Sequence, residues 1–196
     1  MIIKDWKKEV FTIPNILSLF RLLLIPVYVA IYLNADSLED YYIAAGILAV
    51  SCLTDMVDGK IARHFHMIST LGKFLDPLAD KITQFTLIIC LTVRYPILWT
   101  IVGLFVVKEV FQLVAAAVNW KKGRVLRGAL ITGKVCTTIL FISLVVMVLM
   151  PMLDITVINI ITAIDGLFLL VAFIHYIIIF FFGKKHFQSI DEDPNA

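Results

Sequence analysis

Four aspartates between positions 55 and 80 are the side chains of this sequence best suited to chemistry. Asp55 and Asp58 lie three residues apart and Asp76 and Asp80 lie four apart, so each pair occupies one face of a helix. Clustered carboxylates repel one another, and an apolar setting neutralises some of them unless cations balance their charge. Oxygen ligands alone favour a hard ion such as Mg²⁺ or Mn²⁺, and two such ions form a clamp for phosphoryl chemistry. The spacing therefore predicts a site for two divalent cations.

Small residues beside these aspartates predict a ligand that approaches the helix closely. Gly59 and Ala62 follow Asp55 by four and seven residues, so they continue the same stripe of the helix. Arg63 lies next to this stripe, and arginine suits phosphate. The alternative is structural, with the aspartates paired to nearby cations: Lys60, Arg63, Lys73 and Lys81. Such pairing leaves the small residues unexplained.

The helices that carry this site must lie in a membrane. Of the 196 residues, 61% are hydrophobic, and the mean hydropathy is +0.96. A soluble domain of this length needs more polar surface. Lipid offers no partner for backbone polar groups, and a helix of about 20 apolar residues crosses a bilayer. The sequence therefore predicts an all-α polytopic protein with six transmembrane helices, at 13–33, 42–64, 72–93, 96–118, 129–150 and 156–182.

Charge distribution predicts the orientation. Basic residues precede the first span, follow the sixth and occupy two of the loops, whereas the other three loops hold one basic residue, Arg94. The positive-inside rule places both termini on the cytoplasmic side, together with the four aspartates. The second and third spans are joined by a short loop and must face each other, so the four aspartates can converge.

Composition divides the chain into three segments. Residues 1–12 suit an amphipathic juxtamembrane segment on the anionic leaflet, or a solvated tail. Residues 13–185 form the predicted membrane domain, and 186–196 form a polar C-terminal tail. The three cysteines lie in apolar stretches without paired spacing, which argues against a disulfide or zinc framework. We expect a bacterial cell membrane as the location, and we do not expect nucleic acid as a partner.

The segment from Asp55 to Asp80 resembles the signature of the CDP-alcohol phosphatidyltransferases, D-x2-D-G-x2-A-R-x8-G-x3-D-x3-D. All eight fixed positions are filled: Asp55, Asp58, Gly59, Ala62, Arg63, Gly72, Asp76 and Asp80. The resemblance implies a six-helix membrane enzyme, a homodimer, that transfers a phosphatidyl group from CDP-diacylglycerol to an alcohol and releases CMP. The six predicted spans are also similar to the family over nearly the whole chain.

The resemblance also implies a role for each matched residue. The four aspartates would hold two Mg²⁺ or Mn²⁺ ions, and Asp80 would also be the general base. The CDP-lipid would lie against four residues: Asp58, Gly59, Ala62 and Arg63.

Two weaker similarities concern the acceptor alcohol. Residues 11–27 (FTIPNILSLFRLLLIPV) resemble the first span of phosphatidylglycerophosphate synthases, which use glycerol-3-phosphate, and equally that of cardiolipin synthases, which use phosphatidylglycerol. The element from Gly133 to Thr137 resembles G-K-x-K-T of the former, except that Cys136 replaces the second lysine, and it fits the K-V-x-T version of the latter. We predict glycerol-3-phosphate as acceptor and phosphatidylglycerol as the alternative. The candidate acceptor-binding residues are Lys134, Arg127, Lys81 and Lys108.

Other polar residues lie inside the predicted spans. Arg21 either faces the site or has a structural partner. Lys108 and Glu109 are adjacent and leave the helix in different directions, so we predict that they do not pair with each other. Asp165 and His175 are predicted to be satisfied polar groups of the helix bundle.

A small cation transporter is the alternative from another functional class, because intramembrane aspartates can carry ions. Transporters with midplane sites have broken helices and internal repeats. The sequence shows neither, and its aspartates cluster near one membrane surface.

Overall fold

The computed structural model describes residues 13–64, 72–126, 130–183 and 187–189, and these ranges are nearly all helical. The helices are α1 (Ile13–Leu33), α2 (Leu38–His64), α3 (Gly72–Arg94), α4 (Trp99–Lys121), α5 (Ile131–Leu149) and α6 (Ile155–Phe182). Two short strands follow α4 and α6, namely β1 (Arg124–Leu126) and β2 (Phe187–Ser189). The predicted all-α class is confirmed, with this two-stranded ribbon as an addition.

Each helix coincides with one predicted span. α1 has the predicted bounds, whereas α4 starts later than predicted because Pro96–Leu98 form a separate 3₁₀ turn. Among the described residues, four helical stretches have the length and composition of a membrane span: Asn15–Leu33, Pro96–Lys121, Ile131–Leu149 and Ile155–Phe182. α2 and α3 carry the charged signature, so the count of six spans stays a prediction.

The chain forms two compact units. The first contains Met1–Arg94 and Leu144–Met152, and the second contains Tyr95–Ser143 and Leu153–Ala196. α1, α2 and α3 therefore belong to the first unit, whereas α4, α6 and most of α5 belong to the second.

In the first unit, α1 packs against both α2 and α3. Ser18 contacts Asp76, and Arg21 contacts Asp80. Residue numbers therefore increase in the same direction along both helices, so α1 runs parallel to α3. Small residues allow the close approach of these helices, since Ala44, Ala45 and Ala79 are fully or almost fully buried.

An aromatic cluster joins the opposite ends of the same helices. Tyr28 stacks on Tyr32 with ring centroids 5.5 Å apart, and Tyr32 meets the edge of Tyr41 at 5.4 Å. The guanidinium of Arg94 lies 4.8 Å from the centre of the Tyr41 ring. These aromatic contacts hold together the end of α1, the start of α2 and the end of α3.

In the second unit, the ribbon ties the segments that follow α4 and α6. Arg124 pairs with Ser189 and Leu126 with Phe187 in an antiparallel register. Gly123, at φ +67°, makes the turn from α4 into β1. Because β1 and β2 pair directly, α4 and α6 must end on the same side of the membrane, as the charge distribution predicts. β2 lies in the segment predicted as a polar tail.

Two aspartates cap helices outside the apolar spans. The Asp40 carboxylate accepts hydrogen bonds from the amide and hydroxyl of Ser37, at 3.0 and 2.8 Å. Asp154 accepts one from the amide of Thr156 at 2.7 Å. These hydrogen bonds hold the pKa of both carboxyl groups below its usual value.

Replacing Asp154 by alanine should lower the thermal midpoint of the protein in detergent, because the first turn of α6 loses its acceptor. Since the folded pKa is lowered, this contribution is present above the unfolded pKa of about 3.9 and is lost as pH falls through the folded value. The difference in thermal midpoint between wild type and Asp154→Ala should therefore become smaller as the pH falls. Asp154→Asn, which keeps a capping oxygen, is the control. A difference in thermal midpoint that does not change with pH would show that the charge of the Asp154 carboxylate does not contribute to stability.

Candidate active site

Three buried polar side chains form one face of α1. Asn15, Ser18 and Arg21 recur every three residues and are 1%, 0% and 2% exposed in a helix that is otherwise mostly apolar. Buried polar groups require partners, and polar groups in a membrane helix face the bundle interior. α1 therefore turns its polar face toward the neighbouring helices of the first unit.

That face contacts the carboxylates of α3. The hydroxyl of Ser18 donates a hydrogen bond to Oδ1 of Asp76 at 2.6 Å. The guanidinium of Arg21 donates one to Oδ1 of Asp80 at 2.7 Å, and the Asp80 side chain is half exposed. Both alternatives for Arg21 thus hold together, because its partner is itself a residue of the candidate site. α1 fixes the orientation of both carboxylates.

The remaining signature residues belong to α2, except for Gly72, which begins α3. The helical backbone from Leu38 to His64 places Asp55 and Asp58 on one helical face. The side chains of four signature residues lie outside the described ones: Asp55, Asp58, Ala62 and Arg63. Their convergence with Asp76 and Asp80 stays a prediction, and the described side chains alone contain no metal-binding group of three.

The described half of the site has the chemistry that Mg²⁺ or Mn²⁺ requires. Asp76 and Asp80 are one turn apart on α3 and offer carboxylate oxygens, which are the ligands of hard cations. Ligating carboxylates are commonly oriented by further hydrogen bonds, as Ser18 and Arg21 provide here. These residues therefore fit the predicted cation site.

The candidate acceptor residues have different environments. Lys81 on α3 and Lys134 on α5 are exposed, whereas Lys108 on α4 is 2% exposed. Arg127 lies outside the described residues. Each of these four assignments stays a prediction.

The prediction that Lys108 and Glu109 do not pair was wrong. Nζ of Lys108 lies 2.5 Å from Oε1 of Glu109, and both side chains are largely buried. The long lysine stem bends back across the helix, because a buried ammonium takes the nearest carboxylate. Glu109 therefore offsets the positive charge of Lys108.

Further polar groups join α5 to α6. The Ser143 hydroxyl donates to Oδ1 of Asp165 at 2.9 Å, and the Thr132 hydroxyl lies 2.6 Å from Nδ1 of His175. The His175 contact agrees with its predicted role as a satisfied polar group of the bundle. Asp165 fits that prediction only through Oδ1, because its other oxygen, Oδ2, is buried without a hydrogen-bond partner among the described residues. Cys136 is 1% exposed on the same helix as Ser143.

Sequence analysis missed the partner of Gly133. A Cβ at this position would lie 2.5 Å from the hydroxyl oxygen of Tyr176 and 3.2 Å from its ring carbons. Tyr176 is also hydrogen-bonded to Gln112. Glycine therefore makes room for a tyrosine that links α4, α5 and α6. The aromatic composition of α6 gave no signal that singled out Tyr176.

The sequence profile of the CDP-alcohol phosphatidyltransferase family matches residues 11–181. The chain belongs to this family. The match includes α1, whose polar face holds Asp76 and Asp80, together with the whole signature.

The relatives of this chain include proteins named for two different activities. The human cardiolipin synthase (CMP-forming) is 46% identical over 83 residues, which are 42% of this chain and 26% of that enzyme. CDP-diacylglycerol–glycerol-3-phosphate 3-phosphatidyltransferase of Escherichia coli K12 is 36% identical over 89 residues, 45% of this chain and 48% of that enzyme. A probable cardiolipin synthase (CMP-forming) of Drosophila melanogaster is 34% identical over 119 residues, 59% of this chain and 35% of that protein. The chain spans less than half the length of each.

Replacing Arg21 by glutamine should lower turnover about 10–100-fold, the range typical of residues that orient metal ligands. Asp80 would lose the guanidinium that fixes its carboxylate. The rate of CMP release from CDP-diacylglycerol measures the effect, with folding checked by size-exclusion chromatography.

Thr83→Val is the matched control, because Thr83 is also buried but, among the described residues, its hydroxyl donates to the backbone of its own helix at Ala79. It should keep nearly full turnover. Folded Arg21→Gln protein with wild-type turnover would show that Arg21 does not position Asp80.

Proposed function

We propose that this protein transfers a phosphatidyl group from CDP-diacylglycerol to an alcohol, with release of CMP. The observation that carries the proposal is the pair of carboxylates on α3, Asp76 and Asp80, held by Ser18 and Arg21 of α1. They lie within the region that matches the family, and a fixed carboxylate suits both cation binding and proton transfer. Cation transport would not require the nucleotide-binding half of the signature.

In the proposed reaction, Asp80 accepts the proton of the acceptor hydroxyl. The resulting oxygen forms a bond to the lipid-side phosphorus of the diphosphate, the bond from that phosphorus to the bridging oxygen breaks, and CMP leaves. Mg²⁺ or Mn²⁺ held by the four aspartates would supply positive charge beside the diphosphate. Gly59 and Ala62 would admit the nucleotide, and Arg63 and Asp58 would contact the CDP-lipid.

We infer that phosphatidylglycerol is the better acceptor candidate, which would make the product cardiolipin. Glycerol-3-phosphate has a terminal phosphate and needs unopposed cations, as phosphate recognition does elsewhere. Cys136 replaces one lysine of the G-K-x-K-T element and is buried, and the charge of Lys108 is offset by Glu109. Glycerol-3-phosphate, the acceptor favoured by the sequence alone, remains the second candidate because Lys134 of that element is exposed.

The proposed setting is a lipid bilayer, with the active site on the cytoplasmic side. The basic loops support this orientation. Relatives occur in both bacteria and eukaryotes, so the bacterial location stays a sequence-based expectation. A homodimer is proposed on the family resemblance alone.

The acceptor is tested by a product assay on purified protein with CDP-diacylglycerol and Mg²⁺ or Mn²⁺. We expect CMP release that requires phosphatidylglycerol and is lost in Asp76→Asn. Release that requires glycerol-3-phosphate would overturn the acceptor and leave phosphatidyl transfer intact. If CMP is released with neither acceptor, the proposed reaction is contradicted for both phosphatidylglycerol and glycerol-3-phosphate.

Replacing Asp80 by asparagine should lower turnover by about 10²-fold or more while the protein still folds, since asparagine keeps the shape but cannot take a proton. Asp165→Asn, another intramembrane aspartate hydrogen-bonded to a neighbouring helix, is the matched control and should keep most activity. Wild-type turnover in Asp80→Asn would remove Asp80 from the role of general base.

A further inference from the structure

A cleft lies between the last turns of α4 and α6, beneath the ribbon of β1 and β2. The space that it encloses has a volume of about 160 Å³. Its walls are mostly apolar and include Phe111, Ala116, Ile179 and Phe180. Alanine on α4 leaves space that a larger side chain would fill. We call this space the α4–α6 cleft.

Polar groups occupy the end of the cleft near the ribbon. Arg124 begins β1, is exposed, and lines the cleft together with Asn119 and Trp120 at the end of α4. Lys121 and Lys122 are exposed on the same turn. Trp and Arg at the end of a membrane helix mark the level of the lipid headgroups. The cleft thus has an apolar length and a cationic end at the bilayer surface.

We propose that the α4–α6 cleft binds one anionic phospholipid of the surrounding leaflet. One acyl chain would lie against Phe111, Ala116 and Phe180, and the headgroup phosphate would contact Arg124. An apolar space open to a bilayer takes up lipid, and the guanidinium selects a phosphate with net negative charge around it. The same lipid would fasten the ribbon to the helices, because Arg124 and Phe187 of the two strands both line the cleft.

The lining residues include no residue of the signature and none of the four candidate acceptor residues. The reporter of binding lies in the cleft itself and the measurement uses no CDP-diacylglycerol, so its outcome does not depend on turnover.

Trp120 serves as the reporter, because it lines the cleft. In a Trp6→Phe, Trp99→Phe background it is the one remaining tryptophan of the chain. The protein is reconstituted in phosphatidylcholine vesicles that contain a small fraction of either phosphatidylglycerol or phosphatidylcholine brominated on the acyl chain. We expect stronger quenching by brominated phosphatidylglycerol, saturating at a low mole fraction. Equal quenching by the two lipids would overturn the proposal before any cleft variant is made.

Two variants separate the headgroup contact from the chain contact. Arg124→Gln should weaken the apparent affinity for brominated phosphatidylglycerol about fivefold, the effect of one cation at a lipid surface. Lys122→Gln removes the same charge from a residue outside the lining and should leave affinity nearly unchanged. Ala116→Leu should reduce quenching by filling the cleft. Equal losses in Arg124→Gln and Lys122→Gln would indicate general surface attraction and overturn the site.

Inorganic phosphate distinguishes a lipid site from a simple anion site. Excess phosphate should not displace the brominated lipid, because it lacks the acyl chain. Displacement by phosphate, combined with no effect of Ala116→Leu, would mean that Arg124 binds free anions and that the cleft does not hold a lipid.

Discussion

A charged group inside a bilayer must have a partner, and this constraint governs the first unit. A charged side chain in the apolar part of a membrane is costly, so such groups pair with other residues of the bundle. Ser18 and Arg21 meet that requirement for Asp76 and Asp80, and the same contacts set α1 parallel to α3. Folding and active-site geometry therefore depend on one set of interactions. α1 carries no signature residue, yet it orients two carboxylates of the signature.

The second unit obeys the same constraint with a different result. Lys108 is paired to Glu109, Ser143 to Asp165, and Thr132 to His175, so these polar groups find partners within α4, α5 and α6. Oδ2 of Asp165 is the exception among the described residues of this unit. Charge that is offset in this way is less available to a phosphorylated acceptor. Cys136, buried on α5, adds no cation of its own. These contacts are the reason for proposing a lipid acceptor in preference to glycerol-3-phosphate.

The sequence predicts the helices well, because each is an apolar run of about the length that a bilayer requires. α1 begins and ends at the predicted residues. Partners between helices are harder to predict, since periodicity does not say which face meets which neighbour, and Arg21 could not be assigned to Asp80. Lys108 and Glu109 were predicted wrongly because backbone direction alone ignores the reach of a lysine. β2 is three residues long and pairs with a strand far away in the sequence, so no local pattern marked it.

The central claim is that divalent cations complete the charge of carboxylates that α1 holds in place. Mn²⁺ binding to the purified protein, followed by electron paramagnetic resonance, tests this claim without any substrate. We expect two Mn²⁺ ions per chain at saturation, with binding strongly weakened in Asp76→Asn and unchanged in Asp165→Asn. No Mn²⁺ binding by wild type, or equal binding by wild type and Asp76→Asn, would contradict it.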